Sequence, residues 1–235
     1  NNDGSEIIKK RILKNKKRGI LGINIGPNKQ TKDQKDDFIL GLKKFNNLAD
    51  YITINISSPN TENLRDFHEV KKLVELLKII NEEKEKQNII IPIMLKISPD
   101  INDSVIDEIS EIAINNSISA LILTNTTNKN RNNLIELQKN EIGGLSGKPL
   151  EDISNNIIKK FYKKLNGKII IVGVGGVDSG KSAYNKIISG ASLVQLYTGM
   201  IFKGPEIVKN IKRDLIDHLK NDGVKNFKEI IGQKI

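Results

Sequence analysis

Six short runs rich in isoleucine, valine and leucine recur along the chain, and in most of them apolar residues follow one another directly. A strand with one wet face alternates, whereas a strand covered on both faces is apolar throughout. Continuous runs therefore predict a parallel sheet sheathed by helices. The runs fall at 19–25, 51–56, 89–97, 119–124, 168–174 and 192–197, and amphipathic helical stretches separate them at 31–48, 66–85, 102–115, 151–164 and 179–188, with others at 5–16 and 205–220. Thr31 and Gln34 have the spacing of a capping box at the start of the second helix. Pro92 argues for a strand entry or an irregular position inside the third run. Equal spacing without a long crossover favours a (β/α)₈ TIM barrel over an open doubly wound sheet. Six strands are present and the chain opens on a helix. The expectation is a single domain over 1–235 that is a barrel lacking its first two βα units.

Composition narrows the function classes. The formal net charge of +10 permits an anionic partner, but the lysines are spread along helical stretches and aromatics make up only 4%. A single-stranded nucleic-acid platform interleaves basic residues with stacking rings, and no such interleaving is visible. There is no cysteine, so thiolate chemistry and disulfides are excluded. No apolar run approaches the length of a membrane-spanning helix. His68 and His218 are the only histidines and have no ligand-like spacing with carboxylates, so no metal site is expected.

In a barrel, chemistry sits at the C-terminal ends of the strands and in the loops that follow. Read in turn, those positions hold Asn24, Gly26 and Asn28, then segment 55–61, then Lys96 to Asp100, then Thr124 to Thr127, then Gly175 and Gly176, and finally Tyr197 and Thr198. The last two strands of a barrel often build a phosphate site from backbone N–H groups and a helix start. Gly175, Gly176 and Thr198 suit that role, and segment 143–147 offers a second glycine-rich cradle. The other strand-end residues are mostly amides and hydroxyls, which match the donor and acceptor edges of a pyrimidine or flavin ring. Lys96, alone after an apolar run, suits an anionic edge. The irregular stretch 125–141 is long enough to be a binding loop.

Six ordered segments resemble the successive motifs of class 2 dihydroorotate dehydrogenases: NISSPNT at 55–61, LKISPD at 95–100, LTNTT at 123–127, GGLSGKPL at 143–150, IVGVGGV at 171–177 and GASLVQLYT at 190–198. The similarity begins at Asn1, which matches the end of the family's Gly-Phe-Asn-Asn segment. The resemblance implies FMN as cofactor and oxidation of (S)-dihydroorotate to orotate, with quinone as electron acceptor. It implies Ser58 as the base that removes the C5 proton, supported by Thr61. Asn55, Asn60, Asn125 and Thr126 would hold the substrate, and Asn55 would also touch the flavin. Asn24, Lys96 and Thr124 would contact the isoalloxazine. Ser146, Gly147, Gly175, Gly176, Tyr197 and Thr198 would surround the phosphate.

The same resemblance implies peripheral attachment to the cytoplasmic face of a bacterial inner membrane, or to the mitochondrial inner membrane. That attachment would run through an N-terminal segment absent from this sequence. The missing start would also hold two strands and a further lysine and asparagine of the site, so weak or no turnover is expected of the chain alone. Soluble relatives use a cysteine base, and Ser58 argues against that alternative. A non-redox isomerase or synthase barrel would want a pair of strand-end carboxylates, and Asp100 stands by itself there.

Overall fold

Each apolar run becomes one strand of a single parallel sheet in a computed structural model, which describes residues 2–15, 18–28, 31–129, 131–132, 134–135 and 137–233. The strands are β1 (Gly22–Ile25), β2 (Tyr51–Asn55), β3 (Ile93–Ile97), β4 (Ala120–Leu123), β5 (Ile170–Val174) and β6 (Leu193–Gln195). They lie in sequence order and every neighbouring pair is parallel. The helices are α1 (Ser5–Lys14), α2 (Gln34–Phe45), α3 (Val70–Lys86), α4 (Asp103–Asn115), α5 (Glu151–Leu165), α6 (Gly180–Ile188), α7 (Thr198–Lys203) and α8 (Ile207–Asn221). Sequential order with a helix after each strand is the topology of the expected barrel, here six strands of a curled sheet.

The two faces of the sheet are chemically different. Ile52, Ile54, Leu95, Ile97, Leu121, Leu123 and Ile171 point outward and join the main core with the helices. Helix α3 shows the mechanism: Leu73, Leu76, Leu77 and Ile80 recur at helical spacing and are at most 1% exposed. Full burial of each such side chain contributes roughly 1.5–3 kcal/mol. The opposite face carries a register row of Asn55, Lys96, Ile122, Val172 and Leu193, which places polar residues at one end and aliphatic ones at the other. Met94, Ala120, Ile122, Val172 and Val174 form a small apolar cluster on this inner face. Ile170 and Leu193, on the same side, are about half exposed at 49% and 53%.

Several local expectations are corrected. Helix α2 is capped by Asp33, whose side chain accepts from the Lys35 N–H at 3.0 Å, and not by a Thr31–Gln34 box. Gln34 instead donates to the Glu62 carbonyl at 3.0 Å. The third strand starts only at Ile93, since Pro92 has no N–H for the ladder and Ile90 is exposed. Between β2 and α3 the chain forms a 3₁₀ turn at Leu64–His68 before the helix begins. The last run, expected over 192–197, shortens to a strand at Leu193–Gln195, and the short helix α7 follows from Thr198. The expected match at Asn1, the end of the first helix at Lys16, and Asn130, Asn133 and Glu136 of the long loop lie outside the described residues.

Candidate active site

On the β2–β4 side, the strand-end amides and hydroxyls bond to one another. The Asn55 Oδ1 accepts from Ser57 Oγ at 3.0 Å and from Asn125 Nδ2 at 3.3 Å. Asn125 Nδ2 also donates to Ser57 Oγ at 3.1 Å, and its Oδ1 accepts from the Thr126 N–H at 2.8 Å. Ser57, not foreseen in this role, is fully buried at the centre of the network. Ser58 is half-buried, and its Oγ accepts from the Asn60 N–H at 3.2 Å. No hydrogen bond joins Ser58 to Thr61 among the described residues.

Arg65 binds the loops after three consecutive strands. It donates to the Ser57 carbonyl at 3.2 Å, to Asp100 at 2.9 Å and to the Thr126 carbonyl at 3.0 Å. Asp100 also accepts from Thr127 Oγ1 and from the Asn128 N–H. The one carboxylate foreseen at a strand end is therefore committed to holding loops. His68 pins the same region: its Nδ1 donates to the Arg65 carbonyl at 2.9 Å and its Nε2 accepts from the Ser98 N–H at 3.1 Å. Since one partner can only accept and the other can only donate, the ring is a neutral Nδ1–H tautomer. Burial pushes its pKa down to about 4. Gly144 closes this side. A Cβ there would sit 1.8 Å from Thr126 Oγ1 and 2.9 Å from Pro59 Cγ, so no side chain fits.

On the β4–β6 side the same rim opens into a cavity of about 520 Å³. Lys96, Thr124, Asn125, Thr126, Ser146, Gly147, Gly175, Gly176, Tyr197 and Thr198 all line it. Asn55 reaches this group through its bond to Asn125 and its register partner Lys96, whereas Ser58, Asn60 and Thr61 lie on the loop beyond it. Asn24 shares the inner face but sits on edge strand β1, exposed, and lines no part of the cavity. Gly147, Gly175 and Gly176 have φ of 77°, 117° and 75°, the left-handed region where a side chain is strained. Thr198 Oγ1 donates to Ser146 Oγ at 3.0 Å.

Three lysines line the cavity. Lys148 pairs with Glu151 at 2.5 Å and Lys203 lies 3.7 Å from Asp178. Lys96 has no hydrogen-bond or ion-pair partner among the described residues, and burial pushes its ammonium below the usual lysine range. Thr124 Oγ1 is buried and has no hydrogen-bond partner among the described residues. Unsatisfied buried polar atoms are rare and mark a place where a ligand or water belongs. The cavity is thus lined by a cation that the chain itself leaves unused, and Thr124 in its wall carries a buried hydroxyl that is likewise unpaired.

The model of the dihydroorotate dehydrogenase family matches residues 1–219. The chain belongs to this family.

A dihydroorotate dehydrogenase (quinone) of Bartonella henselae is 42% identical over 240 residues, covering 100% of this chain and 66% of that protein. The enzyme of the same name from Wigglesworthia glossinidia brevipalpis is 47% identical, covering 90% of this chain and 65% of its own length. Among solved structures, dihydroorotate dehydrogenase of Eimeria tenella in complex with ferulenol superposes with a TM-score of 0.92 at 32% identity, covering 99% of this chain and 69% of that one. The chain spans about two thirds of the length of these relatives. The dihydroorotate dehydrogenase family is flavin-dependent.

Sequence reasoning overlooked several residues around the cavity. Asp178 lines it from the loop after β5, and Phe202 and Lys203 line it from α7. Arg65 gave the clearest missed signal, as a lone arginine four residues past the NISSPNT segment.

Proposed function

We propose that this protein oxidises (S)-dihydroorotate to orotate in pyrimidine biosynthesis, with FMN in the cavity and a quinone as the final electron acceptor. The observation that carries the reading is a shared opening. The unpartnered Lys96 ammonium lines the same cavity as a glycine cradle, the Asn125 amide and Thr126, and the buried unpaired hydroxyl of Thr124 lies in its wall. Such a set fits a molecule with an anionic ring edge, amide-like edges and a phosphate. Lys96, Thr124 and Asn55 would hold the isoalloxazine, with Asn24 approaching from the edge strand. Ser146, Gly147, Gly175, Gly176, Tyr197 and Thr198 would hold the phosphate. FMN would supply the hydride acceptor.

The remaining chemistry belongs to the chain. Asn55, Asn60, Asn125 and Thr126 would orient the substrate ring and its carboxylate. Ser58 Oγ would take the proton from C5 as the hydride leaves C6 and the double bond forms. A free hydroxyl is a weak base near neutral pH, so Ser58 needs an outlet for its own proton. Thr61, three residues on in the same loop, is the group proposed to provide it. The network of Asn55, Ser57 and Asn125 would keep the substrate-facing amides oriented before substrate arrives, where positioning dominates the rate.

A quinone acceptor and a peripheral seat on the cytoplasmic face of a bacterial inner membrane belong to the same proposal, supported by the bacterial quinone-type relatives. Among the described residues no helix is long and apolar enough to cross a membrane. The test is Ser58→Ala in the full-length enzyme. The variant is expected to keep flavin absorbance yet lose flavin reduction by dihydroorotate by about 10²–10⁴-fold, the usual contribution of a positioned base. Unchanged reduction kinetics would remove Ser58 from the role, and a colourless protein unable to take up FMN would remove the reading altogether.

A further inference from the structure

Behind the glycine cradle lies a fully buried lysine that the chemistry above does not use. Lys186 on α6 is 0% exposed. Its ammonium donates to the Glu151 carbonyl at 3.1 Å and to Asn155 Oδ1 at 2.7 Å. No carboxylate among the described residues forms an ion pair with it. Burial pushes its pKa down to about 7, against the attraction of Glu151. Lysines are almost never fully buried, and a well-packed apolar residue in such a place is commonly neutral or stabilising. Stability therefore does not explain why a lysine stands here.

What it holds is the first turn of α5, which is gripped from several sides. Glu151, 5% exposed, accepts from Asn185 Nδ2 at 3.1 Å and from Lys148 at 2.5 Å. Ser154 Oγ donates to the Val174 carbonyl at 2.6 Å, tying the turn to the end of β5. The turn in turn sets the cradle. A Cβ on Gly176 would lie 2.5 Å from the Glu151 Cβ and 2.8 Å from its nitrogen, so the two backbones are in direct contact. On the other side, the Leu150 N–H donates to the Gly147 carbonyl at 3.0 Å. Gly147 and Gly176 both line the cavity, and the adjacent residues Leu150 and Glu151 contact one each.

We propose that Lys186 is a positioning residue for the phosphate cradle: by holding the Glu151 carbonyl and Asn155, it sets the separation of Gly147 from Gly175–Gly176, and so the affinity for a phosphorylated flavin. The inference rests on the FMN reading. It predicts an effect on the phosphate end of the ligand alone, which separates it from general destabilisation.

The test compares binding of FMN with binding of riboflavin, which has the same ring and no phosphate, by quenching of flavin fluorescence. Wild type should prefer FMN. Lys186→Met should weaken FMN by about ten-fold, the scale of one charge-assisted hydrogen bond, and leave riboflavin within about two-fold. Asn185→Ala, which removes a donor to the same glutamate, should give a smaller loss of the same selectivity and serves if the methionine variant does not fold. Leu77→Ala on α3 is the control for loss of stability and should not alter the preference. Equal loss of both flavins, or full FMN preference in both cradle variants, overturns the role of Lys186. A wild type that does not distinguish the two flavins, or binds neither, overturns the FMN reading beneath it.

Discussion

The two halves of the rim use similar residues in opposite ways. From β2 to β4, amides, hydroxyls, Arg65, His68 and Asp100 satisfy one another, and the loops are locked before any ligand arrives. From β4 to β6, Lys96 and Thr124 have no side-chain partners among the described residues, beside a cavity lined by glycines. Thr124 and Asn125 are adjacent in sequence, yet one is unpaired and the other makes bonds on both sides of its amide. The difference teaches that residue type does not decide whether a group serves the scaffold or the ligand. Its neighbours across the strands decide.

The largest test of this contrast is Arg65→Ala. Removing the clamp leaves Asp100, whose side chain is only 8% exposed, without its counter-charge and frees two carbonyls. Breaking a largely buried pair costs roughly 3–5 kcal/mol, so denaturant unfolding should show a loss of that order. A loss under about 1 kcal/mol, the scale of an exposed pair, would mean that the β2–β4 loops are not held by this clamp.

Acid should act next, and on the locked half. His68 has a pKa of about 4 in the folded chain against an ordinary 6.5. Above the ordinary value both states are neutral and the histidine makes no difference. As pH falls from 6.5 towards 4, the unfolded chain takes up a proton that the folded chain refuses, and stability declines. The total is roughly 3 kcal/mol, levelling off below the folded pKa. Unfolding measured from pH 7 to pH 4 should show this slope, and His68→Gln should flatten it. A slope of equal size in the variant would assign the acid sensitivity elsewhere.

The smallest effect belongs to the open half and has the opposite sign. Thr124→Val replaces an unpartnered buried hydroxyl with a methyl group of the same shape. The ligand-free protein should gain about 1 kcal/mol, because a buried polar atom without a partner carries its desolvation cost, while flavin affinity should fall. Loss of stability on this substitution would show that the hydroxyl already has a partner, and the contrast between the two halves would narrow.

The order of strands was legible in the sequence because strands packed against helices leave a local mark, a short run dense in aliphatic residues, and helices at regular intervals leave few topologies open. The rim was legible for a related reason: strand ends are marked by the return of polar residues, so Asn55, Lys96, Thr124 and Gly175 could be placed without coordinates. Local chemistry was less dependable where packing intervenes. Asp33 caps α2 in place of the expected pair, and β6 stops at Gln195, two residues short of the expected strand end.

What only the tertiary structure decided is which groups meet. Arg65 and Thr126 are 61 positions apart, Lys186 and Glu151 are 35 apart, and no periodicity links either pair. Hydrophobic pattern is a property of consecutive residues and survives in one dimension. Hydrogen-bond satisfaction depends on distances between strands and loops, and exists only once the sheet has curled.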